Sequence, residues 1–454
     1  MNNFQITSLL SKVKLSETEK QDLSNALSVL CKDKEKQAGF FAYCKKWKLA
    51  PWTFSQLKSY NLLELFSEET QKDFSNFYEK IRTENEDRND EAVKILKEFK
   101  KNNVDVIILK GNLFIHTVYK DTGYKKMNDF DILIHQKDWF KVQEIYFSMN
   151  YIPLGFGWSG EKQEAAKFSH TGISFISPDY KCITGTQWGL KSPTSKYTVD
   201  NDDLWQTAQE FDFYGEKVKQ LSPEYNILHL ILHMGIYKCG TRDFMDVYNL
   251  FLSEYSVNED KLAEIIIKSN AKDKAYFTFL LSNTCANVIS NSILDKIKPQ
   301  NDGFIMKRLN SRLKMFEETG DLHHSYNDYF HEVEMTVFYF NLFPKFHTRA
   351  VLYLKLIWLI LWPSKEIVHK LSDITEHSSF YKKVLARIKA PYFVLGLTAE
   401  EIGWGITFIL LSKFFVDTIL SLKNYFVKKE SYFDYLKKQG INPDDIKNAV
   451  KKIQ

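Results

Sequence analysis

A chain of 454 residues is long for a single core, so two or three packed units are expected. Apolar residues make up 44% of it and aromatic residues 15%, enough to bury a sizeable interior, while a formal charge of +4 neither argues for a nucleic-acid binder nor excludes a local basic groove. Five cysteines (Cys31, Cys44, Cys182, Cys239 and Cys285) form no CxxC pair, which argues against a disulfide framework or zinc site and points to reduced thiols in a cytoplasm.

Residues 1–100 have helical patterning throughout. The opening MNNFQITSLLSKVKLSETEK lacks the apolar run of a signal peptide. Phe74, Phe77, Tyr78 and Ile81 follow the i, i+3, i+4, i+7 stripe of an amphipathic helix, and Ala92, Ile95, Leu96 and Phe99 repeat it. The TENEDRND run between them (83–90) has no apolar face and reads as a solvated helix surface or connection.

At Val104 the period changes. VDVIIL is a buried strand, KGN the turn after it, Leu113 to Tyr119 a short helix, and KDTGYKKMN a loop pivoting on Gly123. DFDILI (129–134) is a second strand. Trp139, Val142, Tyr146 and Met149 mark a helix, and Tyr151-Ile152-Pro153 begins an extended segment. After the Gly-rich LGFGWSG, residues 168–190 read as a hairpin turning at Ser177-Pro178-Asp179. From Ser222-Pro223-Glu224 helical patterning returns and persists to the end, punctuated by Pro344, Pro363 and Pro391. The expected fold is therefore α+β: a small mixed sheet with helices (101–221), embedded between an N-terminal helical region (1–100), a helical domain packed on the core (222–340) and a C-terminal helical region (341–454).

Two apolar segments near the end bear on membranes. Val351 to Trp362 is too short to span, and Lys413 and Asp417 interrupt Ile402 to Leu422, where a spanning helix needs about 20 predominantly apolar residues. Both read as buried helices. Flanking Lys and aromatic residues leave peripheral membrane contact as the lesser reading.

The chemistry concentrates in 104–134. Alternation along a strand puts Asp129 and Asp131 on one face and Phe130 and Ile132 on the other. Two carboxylates side by side on an apolar strand need a cation or hydrogen bonds, and a divalent metal beside a Gly turn suggests phosphate chemistry. The alternative is a surface D-x-D with an ordinary turn. His229 and His233, at i and i+4, share a helix face; lacking HExxH or an evident third ligand, they read as core histidines. Arg242, Asp243 and Asp246 read as an ion-pair cluster or as part of a nucleotide-binding wall.

IILKG (107–111), DFDILI (129–134), NY (150–151), GTQW (185–188), LHLILH (228–233) and RDFMD (242–246) follow one another in an order and spacing that resembles an uncharacterised bacterial nucleotidyltransferase family. That family is similar to the DNA polymerase beta-like nucleotidyltransferase superfamily. The resemblance implies a Mg²⁺-dependent enzyme (Mn²⁺ in its place being the other option) that moves a nucleoside monophosphate from an NTP to an acceptor hydroxyl. The acceptor would be a small molecule, a sugar, a protein side chain or an RNA end. It implies Asp129 and Asp131 as catalytic metal ligands, and Lys110, Gly111, Lys125 and Arg242 as nucleotide-binding residues. Lys125 stands where the family has Arg, and a Lys cannot make the planar two-point phosphate contact. His170 also matches a family His position, and the resemblance implies, as the lesser reading of His233, that this residue faces the active-site cleft. The family's third carboxylate corresponds to Gly185, and its His-Trp pair to Gln187-Trp188. Asp179, Glu161 or Glu164 are the acids available to substitute. Loss of that acid makes a catalytically degenerate, nucleotide-binding scaffold the alternative to an enzyme.

Overall fold

In the computed structural model the described residues are 1–155, 169–234, 240–301, 303–322, 345–372, 374, 377–426 and 432–453, with seven further positions between 332 and 340. Four helices, α1 (Asn3–Leu10), α2 (Glu17–Leu30), α3 (Lys34–Lys46) and α4 (Ala50–Ser59), precede the 34-residue α5 (Glu68–Lys101). Their starts are written in the sequence. Asn2 with Gln5 and Ser16 with Glu19 form capping boxes that satisfy the first free backbone amides of α1 and α2.

The TENEDRND run is the middle of α5, not a solvated connection. Asn85, Arg88 and Asn89 are almost fully buried there. They continue the stripe that Phe74 and Ile81 begin and that Ala92, Ile95 and Phe99 complete, so the buried face is unbroken but changes chemistry halfway.

Among the described residues the α+β core contains seven strands: β1 (Ile107–Ile108), β2 (Phe130–Leu133), β3 (Ile152–Pro153), β4 (Phe175–Ile176), β5 (Ile183–Gln187), β6 (Gln209–Phe213) and β7 (Glu216–Gln220). Their order is β3-β4-β5-β2-β1-β7-β6. Central β2 runs antiparallel to β1 and parallel to β5, with Asp131 opposite Gly185. Phe130 and Ile132 are wholly buried on the face opposite the carboxylates, as alternation requires. The hairpin of 168–190 is present as β4 and β5. The β6–β7 hairpin, turning at Tyr214-Gly215, has polar, half-exposed strands with little apolar alternation to announce it.

Among the described residues the remaining core helices are α6 (Lys110–Thr117), α7 (Trp139–Ser148) and α8 (Asn201–Gln206). KGN thus forms the first turn of α6 instead of a separate loop. Gly123 has no left-handed backbone; a Cβ there would lie 2.4 Å from the Tyr78 ring, so close packing is what requires glycine. Beyond the sheet come α9 (Pro223–His233), α10 (Thr241–Leu252), α11 (Glu259–Lys268), α12 (Lys272–Cys285), α13 (Asn291–Ile297) and α14 (Phe304–Thr319). Cys31, Cys44, Cys182 and Cys285 are free thiols, and Cys239 lies outside the described residues.

Past residue 345 lie α15 (Phe346–Leu361), α16 (Lys365–Ser372), α17 (Phe380–Leu420), α18 (Tyr432–Lys438) and α19 (Pro443–Ile453). Helices α18 and α19 dock on the β3–β4–β5 edge through Tyr432, Leu436, Ile446 and Ile453 against Ile152, Ile176 and Ile183. The Tyr432 hydroxyl donates to the Pro153 carbonyl at 2.7 Å. Helices α15 and α17 pack on each other, but the expectation that both are buried is wrong. Trp358 is 62% and Ile409 65% exposed, and only 17% of the apolar stretch Ile402–Lys423 is buried.

Candidate functional site

The site is built where β1 hands over to α6 and where β2 begins. Lys110 has φ +48°, a left-handed conformation uncommon for a residue with a side chain, so the turn hinges on Lys110 and not on Gly111. A Cβ on Gly111 would make only an ordinary 3.6 Å contact with Met127, so nothing in the local packing demands a glycine there. The Lys110 ammonium ion-pairs with the Asp131 carboxylate at 3.0 Å, both side chains being mostly buried.

Asp129 opens onto the same cleft. The residue is solvent-exposed where it lines the cleft, while surrounding protein atoms still crowd its carboxyl. That crowding, and secondly the like charge of Asp131, push its pKa up to about 7; Lys110 and Arg88 pull the other way without prevailing.

Opposite Asp131, Gly185 presents no side chain, and the Asp131 carboxylate fills the space where one would be. A Cβ at 185 would lie 2.1 Å from Asp131 Oδ1. The position matching the family's third acid therefore adjoins the D-x-D pair, and Asp131 itself has taken its volume. Among the described residues no group of three or more His, Cys, Asp or Glu side chains is arranged to hold a metal. Asp179 stays at its hairpin turn, where it accepts from Ser177 Oγ at 2.6 Å and Lys181 N at 3.2 Å. Glu161 and Glu164 lie outside the described residues.

The cleft, about 370 Å³ in volume, is lined by Lys110, Asp129, Asp131 and Gly185, and by Gln187, Lys191, His170, His229 and His233. Both α9 histidines line this cleft: His229 is buried, as the core reading expects, whereas His233 is exposed to it. Burial holds His229 neutral far below the usual imidazole range, with Lys110 and the other two histidines acting in the same direction. His170 is likewise pushed down to about 4, by burial first and then by Lys191 and Lys110. Lys191 adds a second ammonium to the wall and donates to the Leu232 carbonyl at 3.2 Å.

Lys125 and Arg242 are not brought into this lining. Lys125 instead pairs with Asp246 at 2.5 Å, and the Tyr119 hydroxyl donates to the same carboxylate at 2.5 Å. Asp246 of the RDFMD motif thus ties α10 to the loop ahead of the D-x-D strand. Arg242 makes no ion pair among the described residues and lies near Lys48.

Asn85 and Arg88 are the functional positions that sequence reasoning missed. Asn85 Nδ2 donates to the Thr122 and Lys125 carbonyls (2.6 and 2.8 Å), and its Oδ1 accepts from Met127 N (3.2 Å) and Arg88 Nη1 (3.1 Å). One buried amide therefore clamps the loop that aims Asp129. Arg88 sets a buried positive charge beside it. The available signal was spacing: positions 81, 85, 88 and 92 keep helical period across an apparently solvated run.

A family model described as an uncharacterised nucleotidyltransferase matches residues 33–287, more than half of the chain. The chain belongs to this family. Its general reaction is nucleotidyl transfer, with a nucleoside triphosphate as donor. No curated protein and no solved structure matches the chain. The matched region of this nucleotidyltransferase runs from α3 to the end of α12, so it holds the whole Lys110–Asp129–Asp131 site, while α13 to α19 lie beyond it.

A second pocket of about 720 Å³ adjoins the cleft and shares Asp129 and Ser174 with it. Its outer wall comes from α18 and α19, through Tyr432, Phe433, Ile446, Lys447 and Lys451, and its inner wall from Leu154, Ile173 and Ile183. Lys126 donates to the Lys452 carbonyl at 3.2 Å, joining this wall to the loop before Asp129.

Proposed function

We propose that this nucleotidyltransferase moves a nucleoside monophosphate from an NTP, with Mg²⁺, onto a hydroxyl of an acceptor held in the pocket between β3–β5 and α18–α19. The observation that carries the reading is Asp129, which belongs to both the cationic cleft and the adjoining apolar pocket. A group joining donor and acceptor has to stand at such a junction.

Asp129 and Asp131 supply hard oxygen donors of the kind Mg²⁺ takes, with water and phosphate oxygens completing the shell. Burial first and the like charge of Asp131 second raise the Asp129 pKa, and two crowded carboxylates with hard oxygens on one strand are chemically suited to such an ion. Bound Mg²⁺ would neutralise phosphate charge and polarise the α-phosphorus. Lys110 would turn from Asp131 to a phosphate oxygen, and Lys191 would hold the triphosphate from the cleft wall. The acceptor oxygen bonds to the α-phosphorus, the bond to pyrophosphate breaks, and pyrophosphate carries away that electron pair. With glycine at 185, the acceptor proton passes to another group at the cleft mouth, and His233, the exposed imidazole of the wall, is placed to take it. The test is incubation with each α-labelled NTP and Mg²⁺, following label transfer and pyrophosphate release. Transfer that persists unchanged in Asp129→Ala and Asp131→Ala refutes the assignment.

Gly185 favours a second reading, a member that binds nucleotide without turnover. Calorimetric titration with NTP, with and without Mg²⁺, separates the two: tight binding with no pyrophosphate release supports the second, and release at ordinary enzymatic rates rules it out.

A further inference from the structure

Exposed apolar side chains crowd the α15–α17 pair to a degree found nowhere else among the described residues. On α15, Val351, Leu354, Trp358, Leu361 and Trp362 form a stripe turned away from the packed face. On α17, Phe380 (83% exposed), Tyr381, Ile388 and Tyr392 precede the kink at Gly403, and Trp404, Phe408, Ile409, Phe415 and Ile419 follow it. Single exposed apolar residues are ordinary, but this many on two helices packed against each other mark an interaction face.

We propose that this face beds into the surface of an anionic lipid bilayer. Two observations choose this occupant over a second copy of the chain. Residues 345–430 carry thirteen Lys and Arg against seven Asp and Glu, a net of +6, whereas the whole chain carries only +4. Such a cationic surround repels its own copy and attracts anionic headgroups. The composition also suits an interface. Tyr392 stacks on Trp404 (5.0 Å between ring centroids), and Trp358 stacks on Trp362 (6.1 Å). These rings have an apolar body and a polar edge, and Lys382, Lys383, Lys389 and Lys423 can keep their ammonium groups in water while burying their stems. Between Ile402 and Leu422 the charged residues are Lys413 and Asp417, which pair with each other at 2.8 Å and so lower the cost of moving that surface out of water. The face lies wholly beyond the matched residues 33–287.

Vesicle flotation with the full chain tests the proposal, using phosphatidylcholine alone and phosphatidylcholine mixed with phosphatidylserine. The chain floats with the mixed vesicles, less with neutral ones, and less as salt rises. The double substitution Trp358→Asp/Ile409→Asp, at positions more than half exposed, lowers the floated fraction at least about tenfold with an unchanged thermal unfolding curve. Failure to float with either vesicle overturns the proposal. So does a lipid-free dimer in light scattering that the same double substitution dissolves, because a second copy then covers the face. No readout depends on nucleotidyl transfer.

Discussion

Replacing Gly185 by alanine tests the geometry of the site most directly. The new Cβ would lie 2.1 Å from Asp131 Oδ1 and 3.3 Å from its Cγ, so the carboxylate has to rotate away. Rotation breaks the 3.0 Å pair with Lys110, whose side chain is 17% exposed beside Asp131 at 11%. A charge-assisted contact of that burial contributes about 1.5–3 kcal/mol. Alanine in a strand ordinarily gains about 0.5–1 kcal/mol over glycine, which offsets part of the loss. The expected net destabilisation is about 1–2 kcal/mol by equilibrium denaturation, with weakened NTP–Mg²⁺ binding by calorimetry. In an Asp131→Ala background the obstructing oxygen is gone, so Gly185→Ala should cost nothing. The double-mutant cycle should therefore show a coupling of about 1–3 kcal/mol. Additive costs, or no cost in the native background, refute the claim that Asp131 occupies the space of the third acid.

Asn85→Ala removes four hydrogen bonds around the loop before Asp129, and denaturation should show a loss of about 2–4 kcal/mol together with NTP binding. Lys110→Met should weaken NTP affinity by about tenfold or more, since it removes an ammonium from the cleft wall. Lys125→Met should instead leave NTP affinity within about twofold while lowering stability, because it strands Asp246. Asp129→Asn has a pH signature. The carboxyl's folded pKa stands raised at about 7, so the unfolded chain ionises first and ionisation drains stability between the ordinary carboxylate range and pH 7. In metal-free buffer the variant should therefore melt like the native chain at low pH and above it from neutrality upward. A melting-temperature difference that does not grow with pH contradicts this assignment of Asp129.

Local rules made much of the protein legible. The strand–turn–helix–strand order from Val104, the alternation that turns Asp129 and Asp131 from Phe130 and Ile132, and the helical start at Ser222-Pro223 each depend on neighbouring residues alone. Capping and periodicity are short-range physics, so the sequence carries them openly. The pairing of Asp131 with Gly185 is different. It joins residues more than fifty positions apart, and no local pattern says that the carboxylate fills the glycine's space. The same holds for Lys125, which resembles a phosphate ligand until Asp246 claims it, and for Asn85, whose partners lie in a different element.

Burial was the other blind spot. Apolar periodicity reports that a helix has an apolar face, but whether protein or something else covers that face is settled by packing. Hence α15 and α17 read like buried helices and stand largely exposed, while Asn85, Arg88 and Asn89 of the polar run in α5 read like surface and lie inside. The sequence determined which residues this chain has for phosphate chemistry and the elements that carry them. Tertiary structure decided which of them meet, because side-chain contact across elements depends on distances that the linear order does not encode.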